Sequence, residues 1–205
     1  MALDMGTLLA PRTTALVTQE CQNGVIGKDA VFPALAEQTQ GLIPAIDGLC
    51  RAARSAGVPV LHCLALRRAD GQGANRNARM FGAAAKAPVQ LLPGSVAAEV
   101  AEGIEVAESD LVLTRYHGLG PMADTGLAAV LRNLGVTTVV GVGVSLNVGM
   151  LNFAMDAVNA GFQFVVPREA VAGFPAEYAE AVLANTLGAV ATITTAAEVT
   201  AAWTR

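Results

Sequence analysis

Residues 136–161, VTTVVGVGVSLNVGMLNFAMDAVNAG, decide the fold. The β-branched start, VTTVVGV, predicts a buried strand, and its glycine-rich exit leads straight into apolar residues at helical spacing that stop at Gly161. A strand that enters a helix through glycines points backbone N–H groups above the sheet, and the helix dipole adds partial positive charge there. The functional site is expected at that junction.

Five further strand signals surround this one. They are 13–18 (TTALVT), 59–66 (PVLHCLAL), 110–114 (DLVLT), 162–166 and 191–195. Helical spacing covers 35–56, although Gly41 and Pro44 count against its first half. A short helix is expected at 97–104, another from an N-cap at Thr125 to Gly135, and two more at 176–187 and 196–203. Residues 67–79 (RRADGQGANRNAR) read as an exposed loop able to border a site. Six strands alternating with helices predict an α/β fold, a three-layer α/β/α arrangement around a six-stranded parallel sheet. Ligands bind such sheets beyond the carboxyl ends of the strands, where the winding reverses. Glu20, Arg115 and the segment 145–149 all follow strands and should share that edge.

Length and composition set outer bounds. The 205 residues suit one domain spanning 1–205 with a sizeable core. Hydrophobic residues make up 53% and charged residues only 15%, so apolar area should be hidden between layers or subunits, and a homo-oligomer is expected. A net charge of −4 without a Lys/Arg cluster argues against nucleic acid as a partner. Neither a run of about 18 apolar residues nor a basic start followed by an apolar stretch occurs, which predicts a soluble, cytoplasmic protein with no membrane role. The three cysteines, Cys21, Cys50 and Cys63, are odd in number and form no CxxC pair, a pattern of reduced thiols.

The chemistry-bearing residues are few. Gly141-Val142-Gly143 imitates a dinucleotide fingerprint, but the third glycine is missing and no acid follows to hold a ribose, so no nicotinamide cofactor, and no cofactor at all, is expected. Glu20, directly after a buried strand, is costly to bury unless paired or used. Arg115, at the matching exit of the third strand, can pair with Glu20 or hold a substrate carboxylate. His62, inside a strand, reads as a core histidine, whereas His117, in a glycine-flanked exit, is a candidate to line the site. The two histidines are far apart and lack an Asp-x-His pattern, which predicts no metal site. Cys21 neighbours Glu20 but should point the other way, into the core.

Taken together, ALVTQECQNG, DLVLTRYHG, the T-x-L-x-x-x-L-x-x-L-G run from Thr125 to Gly135 and GVSLNVGMLNFAMDAVNAG resemble the isochorismatase-like hydrolases, also called the cysteine hydrolase family. The resemblance implies a six-stranded parallel sheet between helices, assembled as a homodimer or homotetramer. Its catalytic members, nicotinamidases and N-carbamoylsarcosine amidases among them, use an Asp, a Lys and a Cys. Position by position, these become Glu20, Arg115 and Gly149. All three differ. The family's turn falls on 143–146 and implies a non-proline cis peptide between Val144 and Ser145. Gly149 removes the nucleophile, so an acyl-enzyme route through that position is impossible. True isochorismatases of the family are similar in lacking a reactive cysteine there, because a vinyl ether is cleaved by protonating the enol carbon, followed by water attack.

The expected function is therefore Cys-independent acid/base hydrolysis of a small anionic molecule, with Glu20 as general acid or base and Arg115 assisting. Ser145, Asn147, Gly149 and His117 are expected to bind the substrate, with the amides near Gly149. Two alternatives stand beside it: a catalytically silent binding protein, and a relocated nucleophile at Cys21 or Cys63.

Overall fold

The computed structural model describes residues 4–204. Six strands, β1 (Thr14–Gln19), β2 (Val60–Ala65), β3 (Leu111–Arg115), β4 (Thr138–Gly143), β5 (Gln163–Pro167) and β6 (Thr192–Thr194), form one sheet in the order β3-β2-β1-β4-β5-β6. Every neighbouring pair is parallel. The longer helices are α1 (Leu42–Ser55), α2 (Arg79–Lys86), α3 (Leu127–Asn133), α4 (Leu151–Asn159), α5 (Ala176–Ala181) and α6 (Ala196–Trp203).

Side-chain alternation along the strands builds two cores. Leu16 of β1 and Val140 of β4 point to the face covered by α1 and α6, where Ile46, Leu49 and Trp203 pack. Ala15, Val17 and Val139 point to the opposite face, against Leu131 of α3 and Phe153 of α4. The result is the expected three-layer α/β/α fold. The chain winds outward from β1 through β2 to β3, then crosses back to β4 and winds the other way. The reversal lies between β1 and β4, so the crevice above their carboxyl ends is the natural ligand position.

The glycines that imitate a dinucleotide motif are packing devices. A Cβ on Gly141 would collide with the Phe164 ring, which meets Phe153 edge-on at 4.8 Å between centroids. Gly143, at φ +113°, lies against the Gln19 carbonyl where β1 and β4 pass closest, and a Cβ has no room there.

Three helix readings need correction. The region 35–56 divides into Pro33–Ala36, a 3-10 turn at Glu37–Thr39, and α1, whose Pro44 sits in the first turn where no N–H is required. Residues 97–104 contain only a 3-10 turn at Val96–Ala98, because the chain turns to bond with the segment after β1. Ala101 N–H reaches the Cys21 carbonyl at 2.8 Å, and Val100 bridges Gln22. Helix α2 was not anticipated. No helix among the described residues is long and apolar enough to cross a membrane.

A buried polar chain ties β1, β2, β3 and α1 together. Asp110 accepts from Arg54 of α1, Nη2 to Oδ2 at 2.7 Å, and from the Ala107 amide at 2.9 Å. His62 Nε2 lies 3.3 Å from the same carboxylate, and Nδ1 lies 3.0 Å from Thr18 Oγ1. Because the carboxylate only accepts, Nε2 carries the hydrogen and Nδ1 accepts from the threonine, which fixes a neutral tautomer. His62 is thus the satisfied core histidine expected from its place in a strand. Burial lowers its pKa; Asp110 opposes this but is already matched by Arg54. The unfolded chain therefore binds more protons than the folded one just below the ordinary histidine pKa of about 6.5, and stability should fall with pH in that window. Urea titrations from pH 7.5 to 5.5 are expected to show this decline, and His62→Gln should flatten it. An unchanged slope in the variant would contradict the assignment.

Candidate active site

Glu20 occupies the first position beyond β1. Its amide bonds to the Cys63 carbonyl at 2.9 Å, anchoring it to β2, and its backbone sits at φ +53°, a conformation that costs a non-glycine residue about 1–3 kcal/mol. That strain aims the carboxylate across the carboxyl edge of the sheet, where Arg115 Nη2 donates to Oε1. Arg115 is the last residue of β3, two strands away, and its side chain is only 5% exposed against 22% for Glu20. A guanidinium so deeply set needs its carboxylate, since removing one partner of a buried pair strands the other charge. Arg115 Nε and Nη1 are buried and without a partner among the described residues. Of the two roles open to Arg115, the pairing with Glu20 is formed through Nη2, and Nε and Nη1 leave the other open.

The pair lies on the wall of a cavity of about 170 Å³ that spans the carboxyl ends of β3, β2, β1 and β4. His117, Ser145 and Gly149 line the same cavity, so five of the six expected site residues converge. Asn147 does not join them. Its Nδ2 donates to the Phe174 carbonyl at 3.0 Å, because on this helical turn it projects away from the side that carries Ser145 and Gly149. Three amides of this segment are taken up by the fold. Those of Val148 and Met150 go to the Ser145 carbonyl at 3.2 and 2.9 Å, and that of Leu146 goes to the Ala172 carbonyl at 2.7 Å. The peptide between Val144 and Ser145 is cis, as the resemblance implies.

Gly149, where the resemblance implies a cysteine in the family, lies against Gln19. A Cβ built there would fall on Gln19 Nε2 and stand 3.1 Å from the Leu119 carbonyl oxygen and 3.3 Å from that of Val144. Gln19, the last residue of β1, is fully buried, and its amide reaches the Leu119 carbonyl at 3.4 Å. Its Oε1 has no partner among the described residues. The glutamine's terminal amide therefore occupies the space that a Cβ at position 149 would need. Sequence reasoning missed it, although a glutamine closing a wholly buried strand was the available signal.

The cysteines are poorly placed to substitute. All three are buried and free. Burial pushes the Cys21 thiol far above its ordinary pKa, and pushes Cys50 and Cys63 up to about 12, so little thiolate exists near neutrality. Cys21 Sγ faces inward, 3.6 Å from the Gln19 carbonyl. Among the described residues, no three His, Cys, Asp or Glu side chains are grouped as a metal ion requires.

Comparison with known proteins adds the ancestry. Residues 14–198 match the family model of the isochorismatase domain. Among solved structures, a cysteine hydrolase from Pseudomonas syringae pv. phaseolicola superposes with a TM-score of 0.81 at 22% identity, covering 95% of this chain and 93% of that one. An isochorismatase family protein from Burkholderia thailandensis gives 0.78 at 25% identity, over 95% and 97%. An N-carbamoylsarcosine amidase from Thermoplasma acidophilum gives 0.72 at 22%, over 90% and 96%. No curated protein matches the chain in sequence.

Two outcomes follow from this geometry. Gly149→Ala should lose about 1–3 kcal/mol through overpacking, and should lose at least ~0.5 kcal/mol less in a Gln19→Ala background, whereas strict additivity in urea unfolding would deny the contact. Iodoacetamide at pH 8 should label none of the three thiols in the native protein and all three in denaturant, read by intact mass. Rapid native labelling of Cys21 or Cys63 would revive a thiol route.

Proposed function

This chain belongs to the isochorismatase family, and from that premise we propose that it is a hydrolase of a small anionic molecule that works without a cysteine nucleophile, Glu20 serving as general acid or base. The observation that carries the reading is the Glu20 carboxylate on the cavity wall, fixed by Arg115, beside Gly149, where the Gln19 amide occupies the place a Cβ would take. As an ion-paired carboxylate, Glu20 can take a proton from water as that water attacks an amide carbonyl. With the proton already on it, the same group can protonate the enol carbon of a vinyl ether before water adds. Amides are reasonable substrates because one similar structure is an N-carbamoylsarcosine amidase. Ser145, Gly149 and His117 line the cavity within which a substrate would lie.

A cytoplasmic homo-oligomer is part of the same proposal. The exposed Leu111 and Val112 on edge strand β3 support the oligomer, since parallel sheets seldom leave apolar residues open to water.

The filled nucleophile position also favours a second reading, a binding protein that kept the cavity and lost turnover. A panel of amides and vinyl ethers separates the two. Under the first reading the wild type turns over a member of the panel and Glu20→Gln lowers kcat/KM by about 100-fold or more. Ligand binding without turnover in both proteins would establish the second.

A further inference from the structure

The cavity carries a charge that the Glu20–Arg115 pair does not account for. Two arginines, Arg67 and Arg115, and one glutamate line it. Glu20 and Arg115 neutralise each other, and Arg67 forms no ion pair among the described residues. The acid nearest in the chain, Asp70, is held by Arg68 through two bonds, at 3.0 and 2.7 Å. Arg67 is set by the sheet edge just beyond β2, where its amide bonds to the Leu91 carbonyl at 2.8 Å. The Arg67 and Arg76 side chains both pass beside Gly71. A Cβ on Gly71 would stand 2.9 Å from Arg67 Nη2 and 3.8 Å from Arg76 Nη2. A guanidinium on the cavity wall with no ion pair among the described residues can receive an anion.

Most of the remaining wall is apolar. Val25, Phe32 and Leu35 after β1, Met80 and Phe81 on α2, and Leu91 enclose the other side. At about 170 Å³ the cavity is smaller than the roughly 300–1,000 Å³ of sites for drug-sized ligands. Such a space suits a small body with little polarity, one end of which meets the guanidinium.

We propose that the cavity recognises a small carboxylate with an aliphatic or aromatic body, its charge held by Arg67. This rests on reading the cavity as the substrate site, and it names the class of substrate that site takes. Arg67 acts here as a specificity residue: its planar fork can meet a carboxylate with two parallel hydrogen bonds. Arg115, through Nη2, keeps the acid/base group in place.

Calorimetric titration at pH 7.5 with benzoate, acetophenone and acetate tests this without turnover. Benzoate should bind the wild type at least tenfold tighter than acetophenone, which lacks the charge, and than acetate, which lacks the body. Arg67→Gln should weaken benzoate at least tenfold and leave acetophenone unchanged, while Arg67→Lys should recover part of the loss. Equal affinity for benzoate and acetophenone in the wild type would overturn the proposal, as would a benzoate affinity indifferent to Arg67→Gln. The hydrolase reading stands or falls separately. A protein that binds benzoate through Arg67 yet hydrolyses nothing refutes hydrolysis and keeps this inference. One that turns over its substrate with an affinity blind to Arg67 does the reverse.

Discussion

The ion pair between Glu20 and Arg115 is the constraint around which the carboxyl edge of this sheet is arranged. It joins the first residue beyond β1 to the last residue of β3 across the intervening β2, so it forms only if all three strands end at matched heights. The parallel register supplies that match. The left-handed backbone at Glu20 is tolerated because the amide is held by the Cys63 carbonyl and the carboxylate by Arg115. Burying Arg115 without that carboxylate would cost several kcal/mol, so the charge is kept by being shared.

Beside the pair, the fold has exchanged one side chain for another. A glycine at position 149 opens space next to the helix that follows β4, and Gln19 enters that space from the end of β1. The exchange is reciprocal, since neither a larger residue at 149 nor a thiol there fits while Gln19 stays. Around it stand a carboxylate, a guanidinium and a mostly apolar cavity, the set on which the proposed acid/base chemistry rests.

Much of this was legible in the sequence. The β-branched runs marked all six strands, and parallel winding alone placed Glu20, Arg115 and the 145–149 turn on one edge. The hidden parts depend on contacts distant in the chain. Asn147 sits between two cavity residues, yet helical geometry turns it toward Phe174. Gln19 meets a partner 130 positions away, which no local pattern reveals. Helix α2 is two turns with a glycine inside, too short for periodicity to stand out from the polar loop before it. Arg67 looked like one of several loop arginines, and only the tertiary structure shows that Arg68 takes the neighbouring aspartate.

In the proposed reaction, water activated at Glu20 reacts directly and no enzyme side chain becomes bonded to substrate. Acid-quenching the wild-type protein during steady-state turnover and measuring its intact mass separates this from covalent catalysis. Only the unmodified mass is expected. A substrate-derived adduct that maps to Cys21, Cys50 or Cys63 would refute the proposed reaction.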